Sequence, residues 1–160
     1  MKKEYFISGS EDKIIKEFIG LIENQYRLKV PLKTAVLPFL DGLYRNNVRM
    51  CIATATELDL AKAALDRLSV LKYFDFILTC SEVGMGKDTP EFFLKALELL
   101  NTPKHETIVF EDALHAIKSA KAAGLSVVAV YDKSSCKEQK EIKSIANFYL
   151  NSFEDWEMIL

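Results

Sequence analysis

Histidine and cysteine are scarce in this chain. The three cysteines, Cys51, Cys80 and Cys136, are odd in number and far apart, and no Cys-x-x-Cys pair occurs. With His105 and His115 as the only histidines, the residue types and spacings argue against a zinc site. Unpaired thiols in such small number suit a reducing cytoplasm, the expected location. Long apolar runs are also missing. None approaches the roughly 20 residues of a membrane span, and the start, MKKEYFISGSEDK, offers Lys2 and Lys3 without the apolar stretch of a signal peptide. Six glycines and four prolines leave no collagen-like repeat or low-complexity tract. Charge of one sign is lacking too: 21 Lys and Arg face 23 Asp and Glu, a formal net charge of −2. Such a balance gives no long-range attraction to nucleic acid or to an anionic membrane.

What remains is ordinary globular material, 49% hydrophobic and 28% charged. A chain of 160 residues is the size of one domain with room for a small appendage, and buries about 70% of its unfolded surface.

Residues 11–27 place Ile14, Ile15, Phe18, Leu21, Ile22 and Tyr26 at helical spacing, and Pro31 ends that helix. A second helical pattern runs through Ala35, Val36, Phe39, Leu40 and Leu43. The rhythm then changes. Val48–Ala53 reads as a buried strand, followed by a helix opened by a capping box at Thr56–Asp59, with Leu58, Ala61, Leu65 and Leu68 as its apolar face. Strands are expected at 74–79, 107–110, 126–131 and 148–150. Helices are expected at 90–100 (after Pro90), 113–123 (closed by Gly124) and 137–146. Strands alternating with helices of about ten residues predict parallel βαβ units with right-handed crossovers, in an open sheet covered on both faces. Residues 1–31 read as a helical appendage and 32–160 as the α/β body.

Open parallel sheets bind ligands beyond the carboxyl ends of their strands. Three such places carry suggestive chemistry. Thr54-Ala55-Thr56 follows the first strand at a helix start, where hydroxyls and free amides can take phosphate oxygens; Thr56 as a simple N-cap explains the same residues. Gly84-Met85-Gly86-Lys87-Asp88-Thr89-Pro90 follows the second. Its glycines allow close backbone approach and Lys87 supplies a localised positive charge, although a solvated lysine in a glycine turn has the same sequence. It is not a P-loop, because Asp88 stands in the required Ser/Thr place. Val109-Phe110-Glu111-Asp112 ends the third strand with two adjacent carboxylates, a donor pair suited to Mg²⁺. Neighbouring strand residues face opposite sides, so both acids reach one ion only if the chain turns there. One exposed and one helix-capping acid is the alternative. Cys51 and His115 are expected as packing residues, not as a catalytic dyad. Together, hydroxyl, lysine and paired acids on one sheet edge suggest a site for a phosphate and a magnesium ion.

These motifs, within CIATATELDLAKAALDRLSVLKYFDFILTCSEVGMGKDTPEFF and IVFEDALHAIKSAKAAGLSVVAVYD, resemble the haloacid dehalogenase superfamily. The likeness is nearest to its branch of phosphoglycolate phosphatases and β-phosphoglucomutases. The resemblance implies a Rossmann-like parallel sheet with flanking helices, and makes residues 1–31 the remnant of a helical cap. By it, Thr54 is the second-motif hydroxyl on the transferring phosphoryl group, with Ala55 beside it. Lys87 is the third-motif lysine, and Glu111 and Asp112 hold Mg²⁺. Several positions depart from the usual pattern: Asp88 follows the lysine where proline is common, Ala113 follows the acids where serine is common, and Ala116 replaces a frequent glycine. The family's first motif, Asp-x-Asp-x-Thr/Val, which supplies the nucleophilic carboxylate, occurs nowhere in the 160 residues. Tyr5-Phe6-Ile7-Ser8 has a strand-like composition but no aspartate.

Two functions are therefore expected. One is a Mg²⁺-dependent phosphatase, or a phosphomutase, acting on a small phosphorylated metabolite. In that case the 160 residues are a partial chain, inactive by themselves for want of the nucleophilic motif. The other is a non-catalytic remnant that binds a phosphorylated ligand or a partner. Loss of a central strand would leave two strand edges open to self-association.

Overall fold

A computed structural model describes residues 10–158; Tyr5–Ser8 lies outside the described residues. Helix α1 (Glu11–Asn24) begins where the Ser10 side chain accepts the Lys13 amide, with Glu11 and Asp12 complementing its positive end. The expected continuation to Arg27 is replaced by a π-helical turn, Gln25–Lys29. Neither segment has a buried residue.

From α2 (Val36–Arg45) onward the chain alternates: β1 (Cys51–Thr54), α3 (Leu58–Arg67), β2 (Phe76–Thr79), α4 (Cys80–Val83), α5 (Pro90–Leu100), β3 (Ile108–Glu111), α6 (Leu114–Ala122), β4 (Ser126–Val130), α7 (Gln139–Ile145) and β5 (Phe148–Leu150). Strand centres agree with the sequence reading, and most ends shift by one to three residues. Gly124, at φ 78°, stops the chain just past α6 in the left-handed region that favours glycine.

All strand pairs are parallel, but the strands form two groups, β1–β2 and β3–β4–β5. Register aligns Thr54 with Thr79, and Glu111 with Ala129. Among the described residues no strand pairs with the remaining edge of β1 or of β3.

The two groups nonetheless share one body, because strand alternation feeds two cores. Ala53, Leu78, Val109, Val127 and Ala129 pack with Phe92, Phe93 and Ala96 of α5, Ile117 of α6 and Ile142 of α7. The opposite side chains, Phe110, Val128 and Val130, pack with Phe39 and Leu40 of α2, Leu65 of α3 and Phe153. Both faces are thus roofed, as a doubly wound parallel sheet requires. Phe39 anchors the second core through ring contacts with Phe110 at 5.2 Å, Phe153 at 5.0 Å and Trp156 at 5.6 Å. Each such pair adds about 0.5–1.5 kcal/mol beyond area burial. Among the described residues no helix is long and apolar enough to cross a membrane.

Candidate functional site

The parallel strands bring the ends of β1, β2 and β3 to one edge. At β1 the Thr56 amide donates to Thr54 Oγ1 at 3.0 Å. This tight turn uses one lone pair on Thr54 and leaves its hydroxyl hydrogen free to donate. The capping box expected at Thr56–Asp59 is absent. Glu57 is the N-cap of α3 and its side chain makes no capping bond, while Thr56 Oγ1 shares a 3.0 Å hydrogen bond with the phenol of Tyr26. Leu58, expected on the apolar face of α3, is 36% exposed.

A capping box does exist one strand away, where sequence reading missed it. Thr79 Oγ1 accepts the Glu82 amide at 3.2 Å and Glu82 Oε2 accepts the Thr79 amide at 3.0 Å. The signal was present, since Thr-x-x-Glu is the capping-box pattern. Ser81 then donates to Glu57 Oε2 at 3.0 Å, tying the ends of β1 and β2 together.

The turn that follows is shaped by glycine. A Cβ on Gly86 would lie 2.2 Å from Asp88 Oδ1, so any larger residue would displace the Asp88 side chain. Thr89 closes the turn, its hydroxyl donating to the Gly86 carbonyl at 2.9 Å. Lys87 is thereby turned inward, with a side chain only 19% exposed, and pairs with Glu111 Oε2, whose side chain is 5% exposed.

Glu111 ends β3, and the chain turns directly after it. Its Oε1 accepts the amides of Asp112 and Ala113, each at 3.0 Å. Burial pushes the Glu111 carboxyl up, but the charge and hydrogen bond of Lys87 and these two amides more than offset it, holding it below the ordinary value. Asp112 shifts the other way. Burial raises it first, then the charge of Glu111 and a hydrogen bond with it, then the charge of Asp132. Asp132 is itself held far below the ordinary range by hydrogen bonds from Lys33 and Ser134, the Lys33 contact measuring 2.7 Å.

The sequence-predicted residues thus divide. Lys87, Glu111 and Asp112 come together. Thr54 and Ala55 stand on the same edge, but among the described residues no hydrogen bond or ion pair joins Thr54 to Lys87 or Glu111. Tyr26, Lys33 and Asp132 were not singled out from sequence as site residues, and nothing local could flag them, because their partners lie 30 and 99 residues apart. Cys51 is a partly buried packing residue whose thiol is pushed up to about 11, chiefly by burial. His115, expected to pack, is instead exposed on α6.

Glu111 and Asp112 form a donor set that fits a hard divalent cation. Two carboxylates share a turn; Asp112 is raised first by burial and then by the charge of Glu111, and a cation would relieve that second contribution. Among the described residues there is no cluster of three or more acid, histidine or cysteine side chains that could hold a metal.

The fold agrees with comparisons to known proteins. Residues 1–130 match the haloacid dehalogenase-like hydrolase family, and the chain belongs to it. A phosphorylated carbohydrates phosphatase of Thermotoga maritima is 35% identical over 86 residues, covering 54% of this chain and 40% of that protein. The fructose-1-phosphate phosphatase YqaB of Escherichia coli (strain K12) is 33% identical over 96 residues, 59% of this chain and 51% of YqaB. The chain therefore spans about half the length of these curated relatives. In three dimensions, YfnB of Bacillus subtilis, bound to magnesium, superposes with a TM-score of 0.79 at 19% identity, over 99% of this chain and 66% of YfnB.

Proposed function

We propose that the strand-end edge holds the phosphate group of a small phosphorylated metabolite, as half of a phosphate-ester hydrolase site. The observation that carries this reading is the buried Lys87–Glu111 pair, which joins the glycine turn to the acidic turn. Lys87 has three ammonium donors. One is committed to Glu111, and the others can meet phosphate oxygens. The Thr54 hydroxyl and the backbone at Ala55 supply further donors ahead of α3, whose N-terminal dipole favours an anion. Glu111 and Asp112 would hold Mg²⁺, which when bound neutralises charge on phosphoryl oxygens.

In this reading residues 32–160 form the α/β body and residues 1–31 belong to a helical cap. Acyl-phosphate chemistry needs a carboxylate nucleophile, and no Asp-x-Asp-x-Thr/Val stands in the sequence. In this reading these residues bind and orient the phosphate ester. Joined to that motif, the same edge is expected to hydrolyse small phosphate esters.

Thermal melts with inorganic phosphate and Mg²⁺ test the reading. The wild-type chain should melt at higher temperature with both present, Lys87→Ala should lose that rise, and neither should release phosphate from p-nitrophenyl phosphate. No rise in the wild type would overturn the binding site. Turnover by the 160-residue chain would overturn the division of labour.

A further inference from the structure

The exposed helical segment reaches the strand-end edge through the Tyr26 side chain. Tyr26 lies in the π-helical turn Gln25–Lys29, a rare widened turn. Neither α1 nor this turn has a buried residue, so Tyr26 is not placed by a core of its own. Helix α3 holds it from both ends instead. At its last residue, Arg67 Nη2 donates to the carbonyls of Tyr26 at 3.2 Å and Val30 at 2.6 Å. Just before its first residue, Thr56 Oγ1 shares the 3.0 Å hydrogen bond with the Tyr26 phenol.

That second contact decides what Thr56 does. Thr56 lies one residue before the N-cap, Glu57. Here the hydroxyl points to Tyr26, α3 has no side-chain cap, and the Thr56 amide is committed to Thr54 Oγ1. The amide fixes the lone pairs of Thr54 and so sets where its hydroxyl hydrogen can point.

We propose that Tyr26 is a positioning residue: its phenol, through Thr56, holds the turn that aims the Thr54 hydroxyl. The proposal rests on the phosphate-holding reading of that edge, and it makes the helical segment part of the site.

Tyr26→Phe removes one oxygen and keeps the ring. Two measurements on the full chain test it: the affinity for inorganic phosphate with Mg²⁺ by titration calorimetry, and hydrogen exchange at the Thr56 amide without ligand. Loss of one net hydrogen bond predicts about 3- to 10-fold weaker phosphate binding and about 3- to 10-fold faster Thr56 exchange. The melting temperature without ligand should fall by no more than about 2 °C. Thr56→Val, in the Tyr26→Phe background, should weaken phosphate binding no further. A lower melting temperature with unchanged phosphate affinity and unchanged Thr56 exchange would reduce Tyr26 to a packing role and overturn the proposal. If the wild type binds no phosphate, the phosphate reading falls, while unchanged Thr56 exchange would separately refute the coupling.

Discussion

Helices α1 and α5 carry the same kind of pattern and meet opposite fates. In α5, Phe92 and Phe93 are 0% and 3% exposed, with Ala96 and Leu100 buried beside them. In α1, Phe18 and Leu21 are 63% and 64% exposed. Both sequences space apolar residues at helical period. Periodicity says which face of a helix is apolar, and it does not say what covers that face. Helix α5 has a sheet beneath it because β1 and β2 precede it and β3 follows. No residue of α1 is buried, and the π-helical turn after it is hydrogen-bonded to the body through Tyr26 and Arg67.

The sharpest way to test this contrast is a matched pair of truncations. Phe92→Ala should cost about 3–5 kcal/mol in denaturant unfolding, as full removal of a buried aromatic does. Phe18→Ala should stay within about 0.5 kcal/mol, as surface changes do. A comparable loss in Phe18→Ala would show that α1 is covered in solution.

A second contrast sets the buried ion pair against the exposed one. Lys87→Met leaves Glu111 buried without its counter-charge and should cost about 3 kcal/mol; adding Glu111→Gln should restore much of that. Lys33→Ala breaks the Lys33–Asp132 pair, whose side chains are 48% and 31% exposed, and should cost about 1 kcal/mol or less.

The pH dependence follows from the same geometry. Because Glu111 sits below its ordinary value of 4.5, its stabilisation is complete above that value and is lost as pH falls through the depressed one. Asp112 has the opposite sign. Raised from 3.8, it costs the fold nothing while protonated, and a penalty appears as pH rises through its titration. Urea unfolding between pH 3 and 7 should therefore show acid loss in the wild type, flattened in Glu111→Gln.

Much of the body was legible in sequence. Apolar runs separated by amphipathic stretches gave each strand and most of the helices, though not the short helix Cys80–Val83, since both faces of a parallel strand are buried and its composition shows it. Glu111 and Asp112 were legible because acids at the end of an apolar strand are conspicuous. The Thr56 cap was misread because the N-cap falls one residue later, at Glu57, while the Thr56 hydroxyl is bonded to Tyr26, 30 positions earlier.

The sequence by itself determined the alternation of elements, the two apolar faces of the sheet, the chemistry gathered at its carboxyl edge and the lack of a nucleophilic aspartate motif, because these depend on local spacing and composition. Tertiary structure alone decided that the strands form two groups, that Lys87 turns inward to Glu111, that Asp132 bears on Asp112 and that Tyr26 reaches the Thr54 turn. Each of those depends on which distant residues the crossovers bring within a few ångströms, and no local pattern encodes that distance.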